Sequence, residues 1–330
     1  MTESPTPSSS GPATGTRVAA IDCGTNSIRL LVADVGPDGT LTEVDRQLRI
    51  VRLGQGVDRT GELAPEALAR TLEASRDYAE VIAGSGATRV RFVATSATRD
   101  ARNRQEFADG VRAAVGVDPE VVSGREEAEL SFRGATAGVA GQHPGPYLVV
   151  DLGGGSTELV LGTATPDAAL SLDVGSVRLT ERHLHSDPPA PAEVEAARAD
   201  VRAALDHAAR TVPFARTATL VGLAGSVTSV TAHALALPEY RREAVHGAVL
   251  GVDRVLAACD DLLHRSRAER LALGFMHPGR ADVIGAGALV WAEVVTRVRD
   301  DVAAAGGTLR DVVTSESDIL DGIALSLARP

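Results

Sequence analysis

The stretch VVDLGGGSTELVLG, residues Val149–Gly162, decides the fold because it joins two apolar runs through an aspartate and three consecutive glycines. A plain hairpin turn needs only two residues with suitable backbone dihedrals. The surplus of glycine predicts a turn that presents its backbone N–H groups to a ligand. We therefore expect a strand–turn–strand hairpin whose turn binds an anion.

A second stretch near the amino end carries the same pattern. IDCGTNSIRLLVADV aligns with VDLGGGSTELVLGTA, so that Asp22 matches Asp151 at a distance of 129 positions (151 − 22) and Gly24 matches Gly153. A repeat at this spacing predicts two related domains, each opening with a hairpin. Strand-like and helix-like segments alternate through both halves of the chain, which indicates the α/β class.

Two facing domains would bring both turns to the floor of one cleft. The N–H groups of the turns would then form anion-binding concavities on either side. Asp22 and Asp151 can hold a divalent cation, directly or through water. The pattern predicts a polyphosphorylated ligand bound together with a metal ion.

The composition excludes several classes of function. The 330 residues suffice for two domains, and all 33 basic residues are arginines. Without lysine there is no Walker-A loop, no Schiff base and no kinase of the protein-kinase type. The net charge of −11 argues against nucleic-acid binding, which needs a basic face. A small, locally basic pocket remains compatible with this charge.

Targeting signals are missing from the sequence. No apolar run reaches the roughly 18 residues that span a bilayer, so no membrane association is expected. The two cysteines, Cys23 and Cys259, have neither metal-ligand spacing nor a disulfide framework. Residues 1–15 lack the parts of a signal peptide and are interpreted as a disordered tail. These features predict a cytoplasmic protein.

Five motifs, in order, resemble the exopolyphosphatase/guanosine pentaphosphate phosphohydrolase (Ppx/GppA) family of the actin, Hsp70 and sugar-kinase superfamily. They are AAIDCGTNSIRLLVA, RLGQGVD, VATSATRDA, VSGREEAELSFRG and VVDLGGGSTELVLG. The resemblance is to the short members of the family. It implies two related actin-like (ribonuclease H-like) domains with an active-site cleft between them. We expect a first domain over 16–134, a second over 135–312, and a helix within 313–330 that returns to the first.

The resemblance also implies roles for individual residues. From the sequence alone, either Glu126 or Glu127 at a helix start can be the general base; the family motif assigns Glu127. Mg²⁺, or another divalent cation, is expected on Asp151 and Glu158. Phosphate binding is expected from the two turns and from an arginine that follows a strand end: Gly24, Thr25, Asn26, Ser27, Arg99, Gly153, Gly154, Gly155 and Ser156.

A third glycine turn, at Gly225 and Ser226, can equally well be a plain helix cap. Its role stays open.

The implied activity is release of terminal orthophosphate from inorganic polyphosphate by in-line attack of water. Three alternatives stay open: hydrolysis of guanosine pentaphosphate, a superfamily kinase, and a non-catalytic sensor of polyphosphate or an alarmone. We expect short chains and distributive release, unless a homodimer supplies a second basic wall. The reason is that arginines near the expected cleft are few: Arg29, Arg46, Arg49, Arg52, Arg99 and Arg178.

Overall fold

The computed structural model describes residues 15–328, so the predicted tail lies outside the described residues apart from its last position. The described part forms two β-sheets with helices packed against them. The strands are β1 Thr16–Cys23, β2 Ser27–Val35, β3 Leu41–Ile50, β4 Arg89–Ala94, β5 Glu120–Val121, β6 Tyr147–Leu152, β7 Thr157–Gly162, β8 Pro166–Leu172, β9 Thr219–Leu223, β10 Val249–Gly251 and β11 Asp311–Thr314.

The α-helices alternate with these strands, and a 3-10 turn lies at Phe214–Arg216. The helices are α1 Val57–Thr60, α2 Pro65–Ser85, α3 Ser96–Asp100, α4 Arg104–Val115, α5 Gly124–Val139, α6 Ser176–His183, α7 Pro191–Ala208, α8 Ala224–Ala234, α9 Arg242–Val245, α10 Val252–His264, α11 Arg267–Leu271, α12 Ile284–Ala304 and α13 Ile319–Leu327. None of the helices within residues 15–328 is long and apolar enough to cross a bilayer.

Both sheets share one topology. The first has the order β3-β2-β1-β4-β5 and the second the order β10-β11-β9-β6-β7-β8. In each, an antiparallel three-stranded unit (β3-β2-β1 or β8-β7-β6) is continued by parallel strands, with β10 added antiparallel at one edge. The repeat and the α/β class inferred from the two hairpins are confirmed, and the topology is actin-like.

The central strand of each sheet starts its hairpin from a buried position. Every residue of β6 is buried, and so are the last six residues of β1. Strands buried on both faces form continuous apolar runs. This explains why residues 19–21 (AAI) and 148–150 (LVV), which precede the two aspartates, are all apolar. These strands therefore place Asp22 and Asp151 near the carboxyl ends of buried strands, where α/β proteins bind their ligands.

Helix α5 connects the two domains. Its Ala128, Phe132 and Ala135 belong to a core cluster with the second sheet, whereas Leu130 packs with the first sheet and α13. The predicted boundary at 134/135 falls inside this helix, and the one at 312/313 falls inside β11. Because α5 packs on both sheets, it offers no single point at which to divide the chain, and the predicted bounds stay a prediction.

The carboxyl-terminal helix α13 lies against the first sheet, with Ile319, Leu320 and Ile323 buried in its cluster. It crosses α5 at two glycines. A Cβ on Gly134 would lie 1.8 Å from the carbonyl oxygen of Asp318, and one on Gly322 would lie 2.0 Å from that of Leu130. The backbones are therefore in direct contact, which fixes the position of α5 relative to the first sheet.

Candidate active site

A cavity of about 100 Å³ lies between the two hairpin turns. It is bounded by both domains and is reached at the carboxyl ends of β1 and β6. Ten of the twelve predicted site residues line it: Gly24, Thr25, Asn26, Ser27, Glu127, Asp151, Gly153, Gly154, Ser156 and Glu158. The two others, Arg99 and Gly155, lie behind its wall.

The first turn is closed by a hydrogen bond from Gly24 N to Ser27 O of 2.9 Å. The carbonyl oxygens within the turn are occupied, because Gly54 N donates to Thr25 O and Val51 N donates to Asn26 O. The amides of Thr25 and Asn26 have no acceptor among residues 15–328. The turn therefore offers N–H groups and conceals its carbonyls, as an anion site requires.

The second turn has the same construction. Gly153 N donates to Ser156 O at 3.0 Å, and the start of α6 covers the carbonyls: Ser176 N donates to Gly153 O and Val177 N to Gly154 O. Within the described range the amide of Gly154 finds no acceptor. Two such turns facing one cavity can hold the oxygens of a phosphoryl group from opposite sides.

The two turns touch each other behind the cavity. Thr25 Oγ1 and Ser96 Oγ are hydrogen-bonded at 2.8 Å. A Cβ on Gly155 would lie 2.6 Å from each of these oxygens. Gly155 thus allows the domains to approach closely. At least one of the three consecutive glycines is therefore required by packing between the domains, whether or not it also binds a ligand. Its predicted role in phosphate binding stays a prediction.

Two acidic side chains face each other in the second hairpin. Asp151 and Glu158 are directly opposite in the β6–β7 pairing, and both are buried. Burial raises the pKa of Asp151 to about 7, with a further contribution from Asp318, against the hydrogen bond from Ser131. Burial and the charges of Glu127 and Asp151 raise the pKa of Glu158 well above its ordinary value.

A divalent cation fits this pair. Two adjoining buried carboxylates repel each other, and a cation would relieve that repulsion. Within residues 15–328 no group of three or more His, Cys, Asp or Glu side chains has the spacing of a metal cage. Mg²⁺ does not need one, because it usually takes one or two carboxylates and completes its shell with phosphate oxygens and water.

The structure distinguishes the two candidate bases. Glu127 lines the cavity with 7% of its surface exposed. Glu126, one position earlier, is half-exposed and pairs with Arg91 at 2.9 Å. Burial raises the pKa of Glu127 to about 8, although the neighbouring Arg99 guanidinium opposes this shift. A buried carboxylate beside an anion-binding turn is suited to accept a proton from water.

Arg99 lies beside Glu127. Its Nη1 donates to Glu127 Oε2 and to Val122 O, each at 3.0 Å. Arg99, the predicted phosphate clamp, therefore contacts Glu127 and is not one of the residues that line the cavity. The two residues are 28 positions apart in sequence, so their contact is a product of the fold. The clamp role stays a prediction.

The sequence analysis placed Arg29 near the cleft but did not predict that it is the partner of Asp22. Arg29 lies opposite Asp22 in β1–β2, as Glu158 lies opposite Asp151, and donates to it at 2.6 Å. Arg29 also pairs with Asp318 at the start of α13. The first hairpin thus carries a neutralised pair and the second an acidic pair. The alignment of the repeats contained this signal, since Arg29 and Glu158 occupy the same column.

Arg280 is a residue that the sequence analysis missed altogether. It lines the cavity, lies against Gly225, and makes no ion pair with residues 15–328. Burial lowers its pKa. Gly225 and Ser226, the third glycine turn noted in the sequence, also line the cavity. The six arginines predicted near the cleft all pair with carboxylates: Arg29 with Asp22, Arg46 with Asp321, Arg49 with Asp77, Arg52 with Asp282, Arg99 with Glu127, and Arg178 with Asp58.

A wider chamber of about 430 Å³ continues from the cavity. Arg29 and Arg280 line both spaces. The outer chamber has an apolar wall that includes Tyr240, Phe275 and Met276. A ligand with its terminal group between the turns would extend into this chamber past Arg280.

These features define a two-domain protein of actin-like topology with a phosphoryl-sized cavity lined by a buried glutamate. Comparison with known proteins gives the family: the profile of the Ppx/GppA phosphatase family matches residues 31–317. The chain belongs to this family of phosphohydrolases. Exopolyphosphatase 2 of Mycobacterium tuberculosis is 55% identical over 322 residues, which are 95% of this chain and 99% of that protein.

Solved structures agree with this assignment. The crystal structure of an exopolyphosphatase-like protein matches with a TM-score of 0.93 and 48% identity, covering 96% of this chain and 98% of that one. The Aquifex aeolicus PPX-GPPA enzyme matches with a TM-score of 0.76 and 30% identity, covering 94% and 99%.

The buried Glu127 predicts a pH dependence of stability. Its pKa is raised in the folded state, so between its ordinary range and about pH 8 the folded protein holds a proton that the unfolded chain releases. The contribution of Glu127 to the free energy of unfolding is fully present below the pKa of the unfolded chain, and it is lost as the pH rises towards 8. Without divalent cations, we expect the Tm of the wild type to fall relative to that of Glu127→Gln from pH 5 to 8.5. A Tm difference that is constant with pH would contradict this assignment.

Proposed function

We propose that this protein is an exopolyphosphatase that releases terminal orthophosphate from inorganic polyphosphate. The observation that carries the proposal is the placement of a buried carboxylate, Glu127, in the same cavity as two turns whose amides find no acceptor within residues 15–328. The similarity to exopolyphosphatase 2 of M. tuberculosis over nearly its whole length supports the substrate class.

The reaction would proceed by in-line attack. The terminal phosphoryl group binds between the turns, where the amides of Thr25, Asn26 and Gly154 stabilise its oxygens. Glu127 takes a proton from a water molecule as the water oxygen bonds to the terminal phosphorus. The bridging P–O bond breaks, and the shortened chain leaves with the bridging oxygen. The raised pKa of Glu127 makes it a stronger base than an exposed glutamate.

Asp151 and Glu158 would hold Mg²⁺ or another divalent cation, which neutralises charge on the phosphate oxygens when bound. Arg99 holds Glu127 in place through the 3.0 Å ion pair. Arg280 would form an ion pair with the part of the polyphosphate that enters the outer chamber.

The charges favour short chains and distributive release. A long polyphosphate needs a continuous path of cations, since each phosphate carries about one negative charge. The predicted arginines are neutralised by carboxylates, which leaves Arg280 to contact the chain in the outer chamber. In a partial digest of a long chain of defined length, we expect a smooth ladder of intermediates on a gel. Full-length substrate accompanied by free phosphate alone would indicate processive action and contradict this prediction.

A second candidate is hydrolysis of guanosine pentaphosphate. The apolar wall of Tyr240, Phe275 and Met276 favours it, because these side chains can cover a purine ring. Phosphate release should be measured with Mg²⁺ on polyphosphates of several lengths, guanosine pentaphosphate and ATP. Fastest release from short polyphosphate supports the first proposal, and fastest release from the nucleotide supports the second. Transfer from ATP only in the presence of an acceptor would indicate a kinase, and binding without release a sensor.

A further inference from the structure

Three strands of the second sheet carry a row of polar side chains. Asp151 on β6 is opposite Glu158 on β7, and Glu158 is opposite Ser171 on β8. Residues directly opposite in neighbouring strands share a face of the sheet, with Cβ atoms about 5 Å apart. Ser171 therefore lies at the end of the acidic row, and its Oγ donates to Glu158 Oε1 at 2.8 Å.

A second serine reaches the row from helix α5. Ser131 follows Glu127 by four residues, so both side chains lie on the same face of the helix. Ser131 is fully buried, and its Oγ donates to Asp151 Oδ2 at 2.6 Å. The helix that carries the proposed base thus also carries a hydrogen-bond donor for one of the two acids.

Packing holds both serines in place. The start of α5 presses on β8, since a Cβ on Gly124 would lie 2.5 Å from Ser171 Cβ. Neither serine lines the cavity, so neither can touch a ligand there directly. Any effect on the reaction must pass through the carboxylates.

The repeated first domain shows that this arrangement is not a general feature of the fold. Its equivalent row is Asp22, Arg29 and Leu48, on β1, β2 and β3. There the aspartate is held by an arginine, and the third position is apolar. Ser171, the hydroxyl at the end of the row, thus occurs only in the row that contains two acids, Asp151 and Glu158, when the two equivalent rows are compared.

We infer that Ser131 and Ser171 are positioning residues of the acidic pair. Each hydroxyl binds one oxygen of a carboxylate and fixes the side chain. The cavity-lining Ser156 also hydrogen-bonds Glu158, and the acceptor sites that remain on the two carboxylates can then face a divalent cation. This inference rests on the proposed metal-binding role of Asp151 and Glu158. It adds two residues outside the cavity that set the affinity for the cation.

The test measures binding of Mn²⁺ alone, followed by the EPR signal of the free ion. Ser131→Ala and Ser171→Ala should each weaken binding roughly 10–100-fold, the usual effect of removing a hydrogen bond to a metal ligand. Ser75→Ala is the matched control: Ser75 is a buried helical serine in α2 that donates to Thr71 O at 2.8 Å, and its removal should leave Mn²⁺ affinity unchanged.

Kinetics supply a second readout. With short polyphosphate, Ser171→Ala should need about tenfold more Mg²⁺ for half-maximal rate, the lower end of the same range, while kcat at saturating Mg²⁺ recovers. Wild-type Mn²⁺ affinity in the folded alanine variants would overturn the inference. If Ser131→Ala fails to fold, Ser171→Ala decides alone. If the wild type binds no Mn²⁺, the inference falls, whereas phosphate release by the same sample would still uphold the proposed hydrolysis.

Discussion

Glu127→Gln is expected to lower kcat for phosphate release by roughly 10²–10⁴-fold, the usual contribution of a general base. Glutamine keeps the shape of the side chain and an oxygen that can accept the hydrogen bond from Arg99. It cannot take a proton from the attacking water. The loss should therefore appear in kcat at saturating polyphosphate and Mg²⁺, while the protein remains folded in a thermal melt.

Glu126→Gln is the matched control for this experiment. It makes the same chemical change one position earlier on α5, at a half-exposed side chain that pairs with Arg91. A surface ion pair of this kind contributes little to stability, so activity and Tm should stay close to those of the wild type. A Glu127→Gln variant with wild-type kcat would remove Glu127 from the role of base. An equal loss in both variants would indicate damage to the start of the helix instead.

Gly134→Ala is expected to destabilise the protein severely. The new methyl group would meet the backbone carbonyl of Asp318 at 1.8 Å, and backbone has no rotamer that relieves such a contact. Separating α5 from α13 should cost about 3 kcal/mol or more, at the upper end of overpacking effects. It would also shift the helix that carries Glu127. Thermal unfolding followed by circular dichroism measures the first effect, and kcat of the remaining folded fraction measures the second.

Gly84→Ala provides the control for the glycine substitution. Gly84 is exposed in the last turn of α2, and a Cβ there would meet no atom within 4 Å. Alanine has the higher helix propensity, so this variant should be as stable as the wild type or more stable by up to about 1 kcal/mol. Equal Tm values for the two alanine variants would show that the crossing of α5 and α13 tolerates a side chain.

Features that depend on neighbouring residues were predictable from the sequence. The hairpins follow from apolar runs that end in a carboxylate and glycines, and the duplication follows from aligning Asp22 with Asp151. Helix α13 follows from apolar residues at helical spacing. The domain boundaries were less predictable, because α5 packs on both sheets and only the packing reveals its second face.

The placement of charge required the three-dimensional structure. Arg29 and Asp318 are separated by 289 residues, and Arg46 and Asp321 by 275, yet both pairs are in contact. The charge of an arginine that pairs with a carboxylate is already compensated, so the sequence alone overestimates how many arginines can bind a phosphate chain. Arg280 belongs to none of the motifs in the sequence. The structure singles it out because it lines the cavity and has no carboxylate partner among residues 15–328.

The sequence by itself determined the two hairpins, the paired turns and the choice of acidic residues near them, because backbone dihedrals, apolar periodicity and residue chemistry act over a few positions. The choice between Glu126 and Glu127 came from the family resemblance. Only the tertiary structure decided which arginines pair with carboxylates and which serines contact Asp151 and Glu158. The physical reason is that burial and ion pairing depend on distances in space between residues that the chain separates by tens to hundreds of positions.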